Sequence, residues 1–569
     1  MPETKSQTQQ SDELIKEEFR SGLTDDQLIS LIESWDSETS TFFEDLKKRI
    51  TINLEYYKGN QTDVAKIRGK NSKAVENRIF MGTETIVPIV TSRPPDMVCE
   101  APSEDELSQK NANLTQKSLY FHYERTQLKD KSERWVRDLI LKRFAVYKID
   151  WNHKEDDLDV KVIDPRRIKF PKYGGNVDAL PVILESLELT YKAVSDFFGS
   201  SVADELLKNV GTSGDNDEMK KRKHTFNITE VWTDDFVVWK SGKNILKKQN
   251  NPWYDFTEGS KKNHFQAPKK PYIIKSLFQT DESLIGETDL VAQVIPIQDN
   301  INKRKRQIEN LSGKVANPPL LIDSDVMDEE TASGITNEEG TILYGKDVAQ
   351  PGKVRFENPG QVPQYLFSDL ITSRAEFDNI LGVHSTTRGE KSGQGTLGQD
   401  LLIKQADFGR IDLIKRRFDT AVGEIGGWWL QIMRLQYSPE RFIRLVDRDG
   451  SVQKFDVSAI EDGVKLIVRG GTAVPTDENA IRQESVQLFQ LGALDPLTLY
   501  EKLKFPNPEE TFKRLAEFRS GKAFLDASGT GAKPGESGAP SSENMGQLPG
   551  AGTIQESVAQ GRKQLKQGI

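Results

Sequence analysis

Apolar residues recur along this chain at two different periods, and the switches between them divide it into segments. From Asp12 to Tyr57 the spacing is helical, with Leu28, Ile29, Leu31, Ile32, Trp35, Phe42, Phe43 and Leu46 among the apolar positions. The stretch YYKGNQ breaks it at Gly59. NRIFMGTETIVPIVTSRPP stays apolar until Arg93, where consecutive prolines end any helix. Helical periodicity resumes from Glu106 to Phe144. Alternation then replaces it. AVYKIDWNHKEDDLDVKVIDPRRIKF holds two short alternating runs around an acidic turn, which predicts a β-hairpin. PVILESLEL, FNITEVWT, DFVVWK and PYIIKSLF keep strand character, so residues 145–280 are expected to form an α+β module, mostly antiparallel.

From Gly286 to Leu311 the period returns to that of a helix. Leu290, Val294, Ile297, Ile301, Ile308 and Leu311 make one apolar stripe, interrupted by Pro296, which should kink the helix or divide it. NPPLLIDSDVMDEETASGITNEEGTILYG has turn chemistry between short apolar runs and reads as a small α/β insertion. A second helix is predicted from about Val362 to Leu381, with Leu366, Leu370, Phe377 and Leu381 on one face. The longest helical pattern runs from Leu397 to about Tyr437, introduced by Thr396 as N-cap and Gln399 three residues on. Such a helix would extend roughly 60 Å. RFIRLVDRDGSVQKFDV reads as a hairpin turning at Asp449-Gly450, and GVKLIVRGG as another strand. Polar helical sequence is expected from Thr476 to Arg519, before a Gly-, Ser- and Pro-rich remainder expected to be disordered.

Composition narrows what such a chain can do. Its 569 residues suggest about three or four domains. Only 36% of them are hydrophobic and 29% are charged, which favours a modular protein with much exposed surface over one large globule. The net charge of −9 argues against a tight sequence-independent grip on DNA, which needs many uncompensated bases. The single cysteine, Cys99, cannot form an internal disulfide, as suits a reducing cytoplasm or a particle assembled there. The first residues, MPETKSQTQQSDELIKEE, lack the apolar core of a signal peptide. No apolar run is long enough to cross a membrane, so no membrane partner is expected.

Catalytic signatures are weak. GVHSTTRGEKSGQGTLGQD, residues 382–400, is glycine-rich and contains Lys391-Ser392, yet it departs from a phosphate-binding loop. Glu390 separates Gly389 from Lys391, His384 stands where the first glycine should, and a helical pattern precedes it instead of a strand. The histidines at 122, 153, 224, 264 and 384 are scattered without metal-ligand spacing. Asp156, Asp157 and Asp159 read as a hydrophilic hairpin turn, and Cys99 has no evident activating base. Trp428 and Trp429, inside a helix with Ile425 and Ile432, read as core or interface. Asp164-Pro165-Arg166-Arg167 reads as a turn whose arginines pair with carboxylates of this chain or a neighbour. No enzyme activity, cofactor or metal is expected.

Four stretches, in order, resemble the portal proteins, or head-to-tail connectors, of tailed bacteriophages. They are the helix ending in LEYYKGNQ, then VIDPRRIKF, then GETDLVAQVIPIQDNINKRKRQIENLSGKVANPPLLID, and finally GVHSTTRGEKSGQGTLGQDLLIKQADFGRIDLIKRRFDTAVGEIGGWWLQIM. The resemblance covers roughly residues 35 to 520 and rests on their order along the chain.

The resemblance implies an α+β portal-like fold with long stem and wing helices, an α+β wing module, a small α/β clip and a helical C-terminal crown. The implied divisions are an arm at 1–34, a wing at 35–285 with its module at 145–280, and stem helices at 286–312 and 362–381. A clip would occupy 313–361, a tunnel loop 382–396, a long wing helix and hairpin 397–475, a crown 476–524 and a disordered tail 525–569. It also implies a homo-dodecameric ring at one capsid vertex of the virion, assembled in the host cytoplasm. Double-stranded DNA would pass without sequence specificity. The implied partners are the terminase large subunit, head–tail adaptor or tail proteins, and the major capsid and scaffolding proteins. Candidate DNA-channel residues are His384, Arg388 and Lys391 in the loop, and Lys303, Arg304, Lys305 and Arg306 on the first stem helix, where ion pairing within the helix is the alternative. Trp428, Trp429, Ile301, Ile308 and Phe377 are expected at the subunit interface or in the core. A nucleotide-dependent packaging enzyme and a non-portal scaffold are the competing expectations.

Overall fold

The computed structural model describes residues 19–61, 71–92, 94–208, 221–334, 342–349, 353–356, 360–384, 387–388, 397–438, 441–446, 452–469, 485–503 and 511–515. It forms two units, residues 1–478 and 479–569.

The larger unit opens with helix α1, Asp25–Lys58. The helix starts later than its apolar period suggests, because Thr24 and Gln27 form a capping box and Gly22 turns the chain with φ 62° just before it. Helix α2, Arg78–Thr91, carries Pro88 inside it and buries Ile79, Ile86, Val87 and Val90. Strand β1, Asp96–Glu100, follows. The helical period from Glu106 to Phe144 proves to be two helices, α3 (Glu106–Arg125) and α4 (Leu128–Leu141). The break falls at Gln127, whose φ of 52° is left-handed. Thr126 ends α3 by turning its hydroxyl back onto the His122 carbonyl.

The α+β module contains two sheets. In one, β2 (Phe144–Asn152) lies between β3 (Asp157–Ile163) and β9 (Tyr272–Ser276). The other has the order β4 (Ile168–Lys169), β5 (Ile183–Thr190), β6 (Thr225–Trp232), β7 (Phe236–Ser241) and β8 (Asn244–Asn250). Every pairing in both sheets is antiparallel, as the alternation predicts. Helices α5 (Tyr191–Phe198) and α6 (Ser200–Lys208) follow β5. Strand β8 escapes sequence reading because no residue of NILKKQN is buried and it has little apolar alternation. Lys148 on β2 joins the sheets, its Nζ lying 2.9 Å from Glu185 and 2.7 Å from Glu230.

Helix α7, Leu290–Ala316, runs through Pro296 without dividing, and Asp289 caps it. The segment after it holds a three-stranded sheet. Strand β10 (Leu320–Asp323) lies between β11 (Ile342–Gly345), which is parallel to it, and β12 (Val354–Phe356), which is antiparallel. A short helix, α8 (Glu329–Ser333), completes it. Leu320, Ile322 and Ala332 form a small core there, apart from the main one. Helix α9, Gln364–Leu381, then packs against α7.

Helix α10, Leu397–Gln436, is the spine of the unit. Phe418, Ala421, Val422, Ile425, Trp429, Leu430, Ile432 and Met433 are all fully buried along it. Each large apolar side chain among them contributes about 1.5–3 kcal/mol on burial. Its neighbours include Trp135, stacked on Tyr147 with centroids 5.0 Å apart and tilted against Phe418. Strands β13 (Phe442–Val446) and β14 (Val452–Asp456) form the predicted hairpin, whose Asp449-Gly450 turn lies outside the described residues. Strand β15, Lys465–Arg469, pairs antiparallel with β1 across more than 360 residues of chain.

In the smaller unit, residues 485–490 and 511–515 are helical, as is α11, Pro496–Lys502. The continuous helical pattern expected from Thr476 is thus broken at Gly492, with φ 73°, and before Pro496. The expected tail, 525–569, lies outside the described residues. Among the described residues no helix is long and apolar enough to cross a membrane.

Candidate functional site

Helices α7, α9 and α10 and the N-terminus of α2 meet around the C-terminal end of α9. The chain leaves α9 through Gly382, whose φ of 74° places it in the left-handed region. Its N–H donates to the Asp378 carbonyl at 2.8 Å. A Cβ there would meet Arg410 Cδ at 2.7 Å, so both the backbone and its neighbour on α10 select glycine. Just before this turn, Gly82 on α2 leaves room for Leu381.

Two carboxylates organise the junction. Glu76 receives Arg374 from α9 at 2.8 and 2.5 Å, Arg78 at 3.3 Å and Lys305 from α7 at 3.8 Å. Asp378 receives Arg78 at 2.6 Å and Arg388 at 3.2 Å. Burial opposes ionisation of Glu76, but the Arg374 and Arg78 hydrogen bonds and the Lys305 charge hold its carboxyl below the usual range. Four cations thus share two anions in a half-dry seam. Neutral amides complete it. Gln298 accepts from the Arg78 N–H at 3.1 Å and donates to the Glu76 carbonyl at 2.6 Å, while Asn302 donates to Gln61 at 2.7 Å.

The start of the glycine-rich segment is fastened separately to α10. Asp407, almost fully buried, accepts the backbone N–H of His384 at 2.9 Å, and its other oxygen lies 2.6 Å from His384 Nδ1. Thr387 donates to the same carboxylate, and Asn379 meets His384 Nε2 at 3.0 Å. Arg388 also donates to the Val383 carbonyl at 2.9 Å, and only 10% of its side chain is exposed. Chemically, this arrangement can hold a loop root in place. Among the described residues no group of His, Cys, Asp and Glu could hold a metal ion.

The residues singled out in the sequence therefore fall into different places. His384 and Arg388 lie in the fastened root, and Lys391 lies outside the described residues. Arg304 pairs with Asp369 at 2.5 Å, and Lys305 belongs to the seam. Lys303 is exposed on α7 and Arg306 half-buried. Ile301, Phe377, Trp428 and Trp429 are buried in this chain's own core, and Ile308 packs half-buried against it. Arg166 pairs with Asp164 at 2.8 Å and Arg167 with Glu185 at 3.8 Å, both within the chain. Asp156, Asp157 and Asp159 each pair with a base: Arg441, Arg125 and Lys131. Cys99 is buried, which pushes its thiol up to about 12. Glu76, Arg78, Arg374, Asp378 and Asp407 went unread. Asn77 as the cap of α2 was the one local signal near them.

Helix α9 has a further property. At about 100° per residue, its buried stripe of Leu366, Leu370, Phe377 and Leu381 faces away from an exposed back of Gln364, Ser368, Thr372, Ala375 and Asn379. Between these faces lie two flanks with exposed apolar side chains, Tyr365 and Ile380 on one side, interspersed with Asp369 and Glu376, and Phe367 with Ile371 on the other.

The family model of phage P22-like portal proteins matches residues 280–567, just over half of the chain. No curated protein matches it.

Proposed function

The chain belongs to the family of P22-like phage portal proteins, and we propose that it is the repeating subunit of a ring-shaped channel at one vertex of a capsid. Double-stranded DNA enters through the ring during packaging and leaves through it at infection. The ring docks the terminase large subunit first and head–tail adaptor or tail proteins later. Proteins of this family are structural, which speaks against the nucleotide-dependent enzyme.

The observation that carries the reading is the sidedness of α9. A cyclic ring is built from heterologous contacts, in which each copy offers one patch to its left neighbour and a different patch to its right. The two flanks of the helix differ in this way: Phe367 and Ile371 form a short apolar patch on one, whereas Tyr365, Asp369, Glu376 and Ile380 form a mixed apolar and acidic strip on the other. The uncharged back between them suits a channel wall that must let DNA slide without gripping it. A dodecamer of chains at −9 each would carry about −108, so its overall field repels the duplex and favours transit.

In this assignment residues 35–285 form the wing, 286–312 and 362–381 the stem, 313–361 the clip, 382–396 the tunnel loop and 476–524 the crown. Lys303 and the loop beyond Arg388, with Lys391, meet phosphates transiently and without reading bases. Arg304, Lys305 and Arg388 hold the stem and the loop root. Electron micrographs of the purified full chain test the reading, with rings around a central hole expected. A species that stays monomeric at micromolar concentration by light scattering, and forms no ring with capsid proteins present, overturns it.

A further inference from the structure

Away from the seam, α10 borders a cavity of about 320 Å³ between itself, β9 and the loops preceding β5 and β9. Four cations line it, and three of them already have partners. Lys269 pairs with Asp178 at 2.6 Å, Lys270 with Asp234 at 2.5 Å and Lys275 with Glu424 at 2.6 Å. The fourth, Arg417, has no ion pair among the described residues, and its Nε is buried without a hydrogen-bond partner. Among the described residues the lining therefore carries one uncompensated positive charge. Beside it the wall is apolar and aromatic: Phe265 meets the face of Trp428 edge-on, with centroids 4.9 Å apart.

We propose that this cavity binds a single oxyanion carried on a small apolar or aromatic body, with Arg417 as its charge partner. One charge is needed because the lysines are neutralised in place, and a second anion would face Asp178 and Glu424. A volume near 320 Å³ corresponds to roughly ten water molecules, enough for a benzoate-sized group and far too small for duplex DNA. The carboxylate has two possible sources, a free small molecule or an acidic side chain of a second copy. Arg417 meets either in the same way, through the positive charge of its guanidinium.

Two variants test the cavity in the full chain. Arg417→Gln removes the charge and keeps much of the length. Gly427→Leu fills the space: a Cβ at 427 would lie 3.7 Å from Phe265, an ordinary contact, and a longer side chain continues into the cavity. The probes are benzoate, its neutral counterpart benzamide, and inorganic phosphate. If the source is free, benzoate in the millimolar range raises the Tm of the wild type by several degrees, benzamide does not, and both variants lose at least tenfold in apparent affinity. If the source is a neighbour, benzoate leaves the Tm of isolated subunits unchanged. Arg417→Gln then raises the concentration needed for assembly at least tenfold, with the Tm of the subunit kept. A wild type blind to benzoate and phosphate, together with variants that assemble as it does, overturns the proposal; so does a benzoate response that survives in both variants. Should the wild type form no ring, the channel reading fails by itself and the benzoate titration still decides the cavity.

Discussion

The α+β module and the α7–α9 pair solve the problem of burial in opposite ways. In the module, two antiparallel sheets press a shared set of side chains together, and β2 is buried along nearly its whole length. Even its charges are satisfied internally, with Lys148 held by two carboxylates and Tyr272 donating to Glu185 at 2.8 Å. Helix α9 buries one stripe against α7 and leaves Tyr365, Phe367, Ile371 and Ile380 in solvent. The module leaves only scattered large apolar side chains in solvent, such as Tyr173 and Phe197, whereas α9 concentrates four on one helix, where the proposed neighbouring subunit would cover them. Stability and assembly should therefore respond to different mutations.

The largest effect on folding is expected from Lys148→Met. It strands Glu185 and Glu230 in the interior, and equilibrium denaturation should show a loss of about 3–5 kcal/mol. A smaller loss would mean that water reaches the pair.

Acid should act next. His122 is fully buried, and burial pushes its imidazole down to about 4 despite Asp157 nearby. The unfolded chain binds this proton near pH 6.5, so the contribution of the neutral ring is complete above that value. It is lost as pH falls towards 4, a change on the order of 3 kcal/mol. Urea midpoints across that window should show the slope, and His122→Gln should flatten it.

Arg388→Ala comes third. It removes one of two cations from Asp378 and should cost about 1–2 kcal/mol, with Arg78 keeping the carboxylate paired. Hydrogen exchange should report faster opening confined to residues 378–388.

Ile371→Asp sharpens the contrast most while disturbing folding least. On an exposed flank it should change subunit stability by no more than about 0.5 kcal/mol, yet abolish rings in electron micrographs. An equal loss of both would erase the distinction between the two regions.

How much of this was legible beforehand depends on the range of the interaction. The stripe of Leu366, Leu370, Phe377 and Leu381 is local and periodic, and it locates α9 and its buried face. The hairpin of β2 and β3 is equally local. The break between α3 and α4 was missed because Thr126 and Gln127 continue the polar pattern of a helix, and a left-handed φ at a glutamine leaves no compositional mark. β1 was missed because DMVCE is too short to show alternation without its partner β15. The seam was invisible for the same reason. Arg78 and Asp378 lie 300 positions apart, and nothing near either one names the other. The basic run at Lys303 to Arg306 was visible as charge, but which side chains are occupied depends on Glu76 and Asp369.

The small sheet between α7 and α9 has a core of its own, built from Leu320, Ile322 and Ala332 and sharing nothing with the main one. An element whose described core residues are its own behaves like an exchangeable tool head. Substitutions at Leu343, Val354 or Phe356, all in solvent, should reshape its outer surface, and with it the docking face of the proposed ring, while the helices that carry it stay untouched.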